Sequence, residues 1–156
     1  MIAKWDDGAL RFRLDSPDAD HAGRHVVSVC FGADFTAPPG DLVYGISADG
    51  IVVSHLDVYW KSIRIGGQQV EVAAIGQVCT LPDYRRRGLA TWLLEAVHED
   101  ARGRVPFGAL FGSPSFYGRL GYRETNLTRD LGFLLCPLTD DPDCPDGNVE
   151  LDGQRW

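Results

Sequence analysis

The sequence predicts one α/β domain with a mixed central sheet, in which an antiparallel meander comes before a single parallel strand-helix-strand unit. Two turn signals, Asp49-Gly50 and Gly66-Gly67, divide residues 42–81 into three strand-like segments rich in Val, Ile and Tyr. Apolar residues then recur at helical spacing from about residue 87 to residue 101. A short apolar run at residues 107–111 follows. The helix before it is long enough for this strand to lie parallel to its predecessor.

The N-terminal segment predicts one strand and one helix before the meander. Residues 10–14 alternate apolar side chains with two arginines, which is the period of a half-buried strand. Ser16 followed by Pro17 is typical of a helix N-terminus, and the apolar face that begins there continues as far as Gly32. Residues 35–40 end in Pro-Pro-Gly, which cannot continue a helix and therefore predicts a loop.

The three strands of the meander have clear limits in the sequence. We place the first two at residues 42–48 and 51–65, and the third at residues 71–81. The third strand ends there because Pro82 removes a donor from the ladder and Asp83 favours a turn. The remaining expected elements are a short helix within residues 113–120, two strands within residues 122–138, and an acidic, turn-rich tail from residue 139.

Composition limits the classes of partner. A chain of 156 residues with 44% hydrophobic content is long enough for one core and too short for two. Its formal net charge of -7 predicts no general attraction to nucleic acid or to an anionic membrane, so cationic partners fit better. No apolar stretch has the length of a membrane span, and the N-terminus lacks the apolar core of a signal peptide. We therefore expect a cytoplasmic protein, and the sequence leaves a homodimer open.

The four cysteines do not form a recognisable motif. Cys30, Cys79, Cys136 and Cys144 are scattered, without a CxxC pair and without a histidine at ligand spacing. We expect reduced, mostly buried thiols and no metal site.

The segment from Val78 to Ala90 carries the strongest chemical signal in the chain. An extended apolar strand stops at a proline, passes three consecutive arginines and enters an amphipathic helix. The first turn of a helix has N-H groups without intrahelical partners, and the helix dipole adds partial positive charge there. Gly88 leaves room for a phosphate to approach the backbone, while Arg85, Arg86 and Arg87 add charge. This arrangement predicts an anion-binding turn.

The spacing Arg85-x-x-Gly88-x-Ala90 resembles the signature of the GCN5-related N-acetyltransferases (GNAT), which is Gln or Arg, two residues, Gly, one residue, then Gly or Ala. Residues 116–122, Phe-Tyr-Gly-Arg-Leu-Gly-Tyr, resemble the second signature of that family. The resemblance implies the GNAT fold, with a parallel pair of strands that splays apart at an acetyl-CoA site, and acetyl-CoA as co-substrate. It implies that the following residues bind acetyl-CoA: Val78, Cys79, Thr80, Arg85, Arg86, Arg87, Gly88, Leu89 and Ala90.

A closer resemblance, to the aminoglycoside 2'-N-acetyltransferases, covers most of the chain. It is carried by residues 31–36, Phe-Gly-Ala-Asp-Phe-Thr, and by the C-terminal Gly-x-x-Trp. In those enzymes the matching aspartate and C-terminal tryptophan help to hold a polycationic sugar. The resemblance therefore implies a small cationic amine as acceptor, bound by Asp34 and Trp156, with Asp152 adjoining them. The chain departs from this family at Gly76, where those enzymes carry a glutamate.

The resemblance assigns the general acid and leaves the base open. Tyr117 occupies the place of the family's general acid, which protonates the departing CoA thiolate. A backbone N-H near Cys79 or Thr80 would meet the oxyanion. His55 lies on a strand, where a lone histidine is more often structural, and Glu71 is equally well explained as a solvated strand residue. We expect the other histidines, His21, His25 and His98, to face solvent, and a chain of water molecules is an equally good base.

Two other functions remain open. The acceptor is a protein or peptide amine in one of them, because an acidic tail suits a basic peptide as well as a small cation. In the other, the chain is a non-catalytic module that binds acyl-CoA, since a fold does not fix a function. The presence of both the arginine-glycine turn and Tyr117 argues against the module.

Overall fold

The computed structural model describes residues 3–4, 8–15, 23–125, 132–140, 147–154 and 156. The strands in this part of the chain are β1 (Ala3–Lys4), β2 (Leu10–Asp15), β3 (Leu42–Ala48), β4 (Ile51–Ile65), β5 (Gln68–Thr80), β6 (Phe107–Phe111), β7 (Arg123–Glu124), β8 (Phe133–Pro137) and β9 (Val149–Glu150). The helices are α1 (Arg24–Phe31), α2 (Leu89–Ala101) and α3 (Pro114–Tyr117), with 3₁₀ turns at Pro82–Tyr84 and Gly118–Leu120.

The strands form a mixed sheet, as the sequence predicts. Their order is β1-β2-β3-β4-β5-β6-β8-β7, and β9 pairs with β4. β5 and β6 are parallel, with Val72 opposite Phe107, while β2, β3 and the first part of β4 form an antiparallel meander. The parallel register ends at Ile75 and Leu110, although β5 continues to Thr80. The predicted fold class is confirmed.

The chain divides into two compact units. Unit 1 comprises residues 1–59 and 76–97, and unit 2 comprises residues 60–75 and 98–156. β4, β5 and α2 each begin in one unit and continue in the other, since their ranges cross the limits of the units. The single domain expected from the sequence stays a prediction.

Unit 1 is built on the antiparallel strands β2, β3 and the first part of β4. The turn between β3 and β4 has positive φ at both central residues, 53° at Asp49 and 79° at Gly50. Positive φ at both positions suits the twist of a tight hairpin, and Asp-Gly adopts it readily. The strands bury apolar side chains that have almost no exposed surface: Val43, Ile46, Val53, Leu56 and Val58.

Unit 2 contains the parallel pair of β5 and β6 together with β7, β8 and β9. The turn at Gly66 and Gly67 again has positive φ at both residues, and β9 pairs Val149 with Ile65. Glycine adopts this conformation without a steric cost, which is why the Gly-Gly pair predicts the turn. The core of this unit contains the fully buried residues Ile63, Val72, Ala109, Leu110, Tyr122 and Leu134.

Two limits differ from the sequence prediction, and a third lies outside the described residues. α2 begins at Leu89 and not near residue 87, because Arg86 and Gly88 have φ of 63° and 76°, which a right-handed helix cannot contain. β5 begins at Gln68, three residues before the expected start of the strand. The expected N-cap at Ser16 lies outside the described residues, within which α1 begins at Arg24 and ends before Gly32.

The described cysteines, Cys30, Cys79 and Cys136, are free thiols, and Cys144 lies outside the described residues. Among the described helices, none is both long enough and apolar enough to cross a membrane.

His98 does not face solvent as the sequence suggested. Its Nε2 atom lies 2.7 Å from the hydroxyl of Tyr122, and burial lowers the pKa of His98 to about 4. Neutral His98 therefore accepts the proton of the Tyr122 hydroxyl, which is itself buried and needs an acceptor. The prediction failed because helical spacing alone did not reveal that Tyr122 packs against this position.

The stability of the fold is expected to depend on this pair. Between pH 6.5 and about 4 an unfolded chain protonates His98 while the folded chain does not, so the free energy of unfolding falls as the pH falls through this range. Above pH 6.5 this contribution is constant. The expected loss is about 2 to 3 kcal/mol. Chemical denaturation at several pH values should show a smaller loss for His98→Gln, and equal losses in the two proteins would contradict the assignment.

Candidate functional site

The turn before α2 is held by its own arginines. Arg85 donates from Nε to the carbonyl of Thr80 at 3.0 Å, and Arg87 donates to the carbonyl of Asp83 at 3.2 Å. The Arg87 guanidinium also lies 5.1 Å from the centre of the Tyr84 ring. Residues 85–88 are exposed, so their positive charge is presented to solvent.

The start of α2 presents N-H groups next to this charge. The N-H of Trp92 donates to the carbonyl of Gly88 at 3.0 Å, so the N-H groups of Leu89, Ala90 and Thr91 precede the first intrahelical bond. No acidic side chain occupies the first turn to compensate the helix dipole. The segment has the local geometry of a phosphate-binding helix N-terminus.

The last residues of β5 lead directly into this turn. Val78 is half-buried and Cys79 is buried, and burial raises the pKa of the Cys79 thiol, which is therefore protonated at neutral pH. The carbonyl of Cys79 accepts a hydrogen bond from Ser54 at 3.3 Å. The carbonyl of Thr80 accepts from Arg85 and, at 3.4 Å, from the thiol of Cys30. The turn and the end of the strand are thus fixed to each other.

A cavity of about 450 Å³ lies within unit 1. Its walls come from α1, the loop of residues 33–40, β3, β4 and β5. His55, Asp57 and Gln77 line it, and the first two lie on the same face of β4 because successive side chains of a strand alternate. The cavity therefore combines an apolar loop with a small group of polar strand residues.

His55 is fixed at this cavity by its neighbours. Only 3% of the residue is exposed, and its Nδ1 atom lies 3.1 Å from the carbonyl oxygen of Gln77. The thiol of Cys79 lies 3.9 Å from the same nitrogen. Gly23 covers the ring closely, since a Cβ atom there would lie 1.9 Å from Cδ2 of His55. The imidazole has little freedom to rotate.

The hydrogen bond to Gln77 determines which nitrogen of His55 carries the proton. A carbonyl oxygen only accepts, so Nδ1 must donate and Nε2 keeps its lone pair in the neutral ring. Burial lowers the pKa of His55, which keeps the ring neutral at physiological pH. Nε2 lies 3.8 Å from Oδ2 of Asp57. The arrangement provides a proton acceptor beside a carboxylate.

Gln77 owes its position to an irregularity in β5. Its φ is 49°, which is unusual for a residue other than glycine within a strand. The hydroxyl of Tyr59 lies 2.7 Å from both Oε1 of Gln77 and the carbonyl of Pro38. Sequence analysis missed Asp57, Tyr59 and Gln77. Two signals in the sequence could have identified them. Residues 55, 57 and 59 alternate along one strand and so share a face, and a glycine inside a strand, here Gly76, often marks a local distortion.

Tyr117 lies in unit 2, at the end of α3. Its ring packs on the backbone of Gly112, where a Cβ atom would lie 2.3 Å from Cε2, and makes an edge contact with Tyr122 at 5.9 Å between ring centres. Burial raises the pKa of Tyr117. The phenol is therefore protonated at neutral pH, which is the form that a proton donor requires.

The expected acceptor-binding residues have different surroundings. Asp34, in unit 1, is exposed just after α1, and its neighbours Ala33 and Phe35 line the cavity. Asp152, in unit 2, accepts a hydrogen bond from Arg64 at 3.0 Å. Trp156, in the same unit, packs against Phe111 and Phe133, at 5.4 and 6.1 Å between ring centres.

The other candidate bases have partners or lie on the surface. Glu71 is exposed and accepts hydrogen bonds from Ser62 and Gln69, which lower its pKa. His25 is exposed on α1, and His21 lies outside the described residues. In the described part of the chain, His55 is the histidine that lines the cavity.

A family model described as an acetyltransferase (GNAT) domain matches residues 37–125. A GNAT family acetyltransferase from Brucella melitensis, solved in complex with acetyl-CoA, is 20% identical, with a TM-score of 0.69 over 94% of this chain and 97% of that chain. A GNAT family N-acetyltransferase from Escherichia coli, solved with CoA, is 18% identical, with a TM-score of 0.67 over 95% and 92%. Eis1 from Mycobacterium abscessus is 24% identical, with a TM-score of 0.65 over 76% of this chain and 32% of that chain. No curated protein sequence matches the chain.

Proposed function

The chain belongs to the acetyltransferase (GNAT) domain family, whose model matches more than half of it, and from this we propose that it transfers the acetyl group of acetyl-CoA to a primary amine. The observation that carries the proposal is the extent of this match, residues 37–125, which contains the anion-binding turn, His55 and Tyr117. Two similar structures hold acetyl-CoA or CoA, which supports acetyl-CoA as co-substrate.

In the proposed reaction the amine nitrogen attacks the thioester carbonyl and a C-N bond forms. The carbonyl oxygen becomes an oxyanion, which a backbone N-H near Cys79 or Thr80 would stabilise. The attacking nitrogen becomes strongly acidic as it bonds to carbon and loses one proton to a base. The C-S bond then breaks, the oxyanion returns to a carbonyl, and the thiolate takes a proton from an acid. The products are an N-acetyl amine and CoA.

We assign the base to His55. Nε2 of the neutral ring has a lone pair, and His55 is one of the residues that line the cavity. Burial lowers the pKa of His55, which keeps the ring unprotonated at physiological pH. The bond from Nδ1 to Gln77 holds the ring in the tautomer that the role needs. Tyr117, whose place in the family motif is that of the general acid, would protonate the thiolate.

The pyrophosphate of acetyl-CoA would lie at the turn from Arg85 to Ala90. The exposed arginines and the N-H groups at the start of α2 favour a phosphate there. Val78, Cys79 and Thr80 would border the pantetheine arm, as the family resemblance implies. These roles are proposals that binding experiments decide.

For the acceptor, the sequence resemblance proposes a small, aminoglycoside-like cation that contacts Asp34, Asp152 and Trp156. Arg64 already forms ion pairs with both Asp152 and Glu150. These two carboxylates therefore have a positive partner within the chain, which a cationic acceptor would have to share or replace. A protein or peptide amine, a non-catalytic acyl-CoA-binding role, a cytoplasmic location and a homodimer stay predictions of the same standing.

Gly88→Val is expected to weaken acetyl-CoA binding by about one to two orders of magnitude. The new side chain would occupy the place proposed for the phosphate, beside the N-H groups of α2. Isothermal titration calorimetry with acetyl-CoA measures the effect, and a thiol-release assay with a panel of primary amines measures the activity.

Valine at a positive φ also strains the backbone, so the experiment needs a matched control. Gly67 has a φ of 80°, close to the 76° of Gly88, and a Cβ atom there meets nothing within 4 Å. Gly67→Val should carry a similar strain and leave acetyl-CoA affinity unchanged. Equal affinities of the two folded variants would remove the turn from the binding site.

A further inference from the structure

Gln77 is held in a conformation that its backbone disfavours. Its φ of 49° lies in the left-handed region, which glycine adopts freely and other residues rarely adopt. A residue stays in such a conformation when the structure around it holds it there. A glycine at position 77 would remove the strain, yet the chain has its glycine one position earlier, at Gly76. This points to a use for the glutamine side chain.

The side chain of Gln77 contacts Tyr59, a buried residue of β4. The Tyr59 hydroxyl lies 2.7 Å from Oε1 of Gln77 and 2.7 Å from the carbonyl oxygen of Pro38. Burial raises the pKa of Tyr59, so the phenol keeps its proton. One proton cannot fully satisfy two oxygens, but half a turn of the Gln77 amide presents its NH2 group to the phenol oxygen. In that arrangement the hydroxyl donates to Pro38 and accepts from Gln77.

These bonds connect the wall of the cavity to the proposed base. Pro38 belongs to the loop of residues 33–40, which lines the cavity together with His55. Gln77 makes two contacts, since its side chain reaches Tyr59 and its carbonyl oxygen lies 3.1 Å from Nδ1 of His55. The four residues all lie in unit 1. They therefore form one continuous path of hydrogen bonds, from Pro38 through Tyr59 and Gln77 to His55.

The two nitrogens of His55 compete for the proton of the neutral ring. Nε2 lies 3.8 Å from Oδ2 of Asp57, and a carboxylate at this distance attracts a proton to Nε2. The carbonyl of Gln77 attracts it to Nδ1 instead. The thiol of Cys79, whose pKa burial raises, lies 3.9 Å from Nδ1 and adds no charge there. The tautomer therefore depends on where the Gln77 carbonyl points.

We propose that Tyr59 and Gln77 are positioning residues, which together fix the direction of the Gln77 carbonyl and so keep His55 in the tautomer that has its proton on Nδ1. This tautomer leaves the lone pair of Nε2 free to take a proton from the attacking amine. Tyr59 does not line the cavity, so it would act through Gln77. The inference rests on the proposed function, in which His55 is the base, and deepens it.

The tautomer can be measured without substrate and without activity. Long-range proton–nitrogen NMR spectra at neutral pH show which nitrogen of His55 carries the proton, and His55→Gln identifies its signals. We expect the proton on Nδ1 in the unaltered protein, and a substantial share on Nε2 in Tyr59→Phe and in Gln77→Asn. Asparagine tolerates a positive φ but has a shorter side chain than glutamine, so it loses the contact with Tyr59 at little cost in strain. A proton on Nε2 in the unaltered protein, or one that stays on Nδ1 in either variant, would overturn the proposal.

Tyr44→Phe is the matched control. Tyr44 is also a buried tyrosine, and it lies opposite Leu56 in the register of β3 and β4. Because Leu56 and His55 are successive residues of one strand, the side chain of Tyr44 lies on the other face of the sheet. Tyr44→Phe should therefore leave both the tautomer of His55 and kcat unchanged. A change of tautomer as large as that in Tyr59→Phe would assign the effect to a general loosening of the sheet and reject the positioning role.

Kinetic measurements separate positioning from stability. The amine is the best of a panel of aminoglycosides, polyamines, amino acids and basic peptides. With this amine, Tyr59→Phe should lower kcat by about tenfold and leave the KM for acetyl-CoA nearly unchanged. In His55→Gln protein the same change should lower kcat no further, because the imidazole that it would misplace is gone. An equal loss with and without His55 would show a merely structural effect and overturn the proposal.

The two measurements distinguish the failure of this inference from the failure of the proposed function. If no amine is acetylated, the proposed function fails, and the NMR spectra still decide whether Tyr59 and Gln77 set the tautomer of His55. If acetyl transfer occurs and the variants leave the tautomer unchanged, the acetyltransferase assignment stands and the positioning role is rejected.

Discussion

Replacing His55 by glutamine is expected to lower kcat by about 10²- to 10³-fold, the scale of a positioned general base. Glutamine keeps a polar group of similar length but cannot take a proton. The backbone of Gly23 and the carbonyl of Gln77 hold His55 in one orientation, and glutamine in its place offers no imidazole nitrogen to accept the proton. Steady-state kinetics with acetyl-CoA and the best amine of the panel measure the loss.

The pH profile distinguishes a base from a structural histidine. Burial lowers the pKa of His55 below the ordinary value of 6.5. On the acid side, kcat/KM should therefore fall only at pH values below 6.5 and should stay level just above pH 6.5. The acid limb should disappear in His55→Gln. His25→Gln is the control, because His25 is exposed on α1 and does not line the cavity. A folded His55→Gln protein with full turnover would show that solvent removes the proton.

Tyr117→Phe is expected to lower kcat by about 10²-fold while the affinity for acetyl-CoA stays nearly unchanged. The change removes only the hydroxyl, and the ring keeps its contacts with Gly112 and Tyr122. Without the phenol the thiolate would leave unprotonated, which makes the collapse of the tetrahedral intermediate slower. Single-turnover kinetics, combined with calorimetry of acetyl-CoA binding, separate chemistry from binding.

Tyr122, whose ring contacts that of Tyr117, provides the control. Tyr122→Phe removes the partner of His98, so it should lower the free energy of unfolding by about 1 kcal/mol and leave kcat within a few fold. If Tyr122→Phe and Tyr117→Phe reduced kcat equally, the loss would reflect packing of the aromatic group. Tyr117 would then no longer be assigned as the acid.

Local sequence signals predicted much of the fold. Asp49-Gly50 and Gly66-Gly67 fixed two turns, because few residue pairs other than these adopt positive φ at both positions without strain. The strands on either side could then be located by their Val- and Ile-rich composition, and β3, β4 and β6 have the limits that the sequence predicted. The crossover length was enough to predict that β6 lies parallel to β5.

The cavity could not be predicted in the same way, because it depends on contacts between residues that are distant in sequence. Gly23 directly precedes α1, while His55 and Gln77 lie on β4 and β5, and nothing in their local sequences shows that they meet. The burial that keeps His55 neutral is likewise a product of tertiary packing. The start of α2 was misplaced for a related reason, since positive φ at Arg86 is not encoded by the identity of an arginine.

The measurement that tests the central claim most directly is the simultaneous detection of CoA thiol and acetylated amine when the purified protein is incubated with acetyl-CoA and the amine panel. We predict equal molar amounts of the two products, formed at a rate that His55→Gln and Tyr117→Phe each reduce by about 10²-fold or more. Release of thiol without an acetylated amine, or acetyl transfer that neither variant slows, would contradict the proposed function and the roles assigned to these residues.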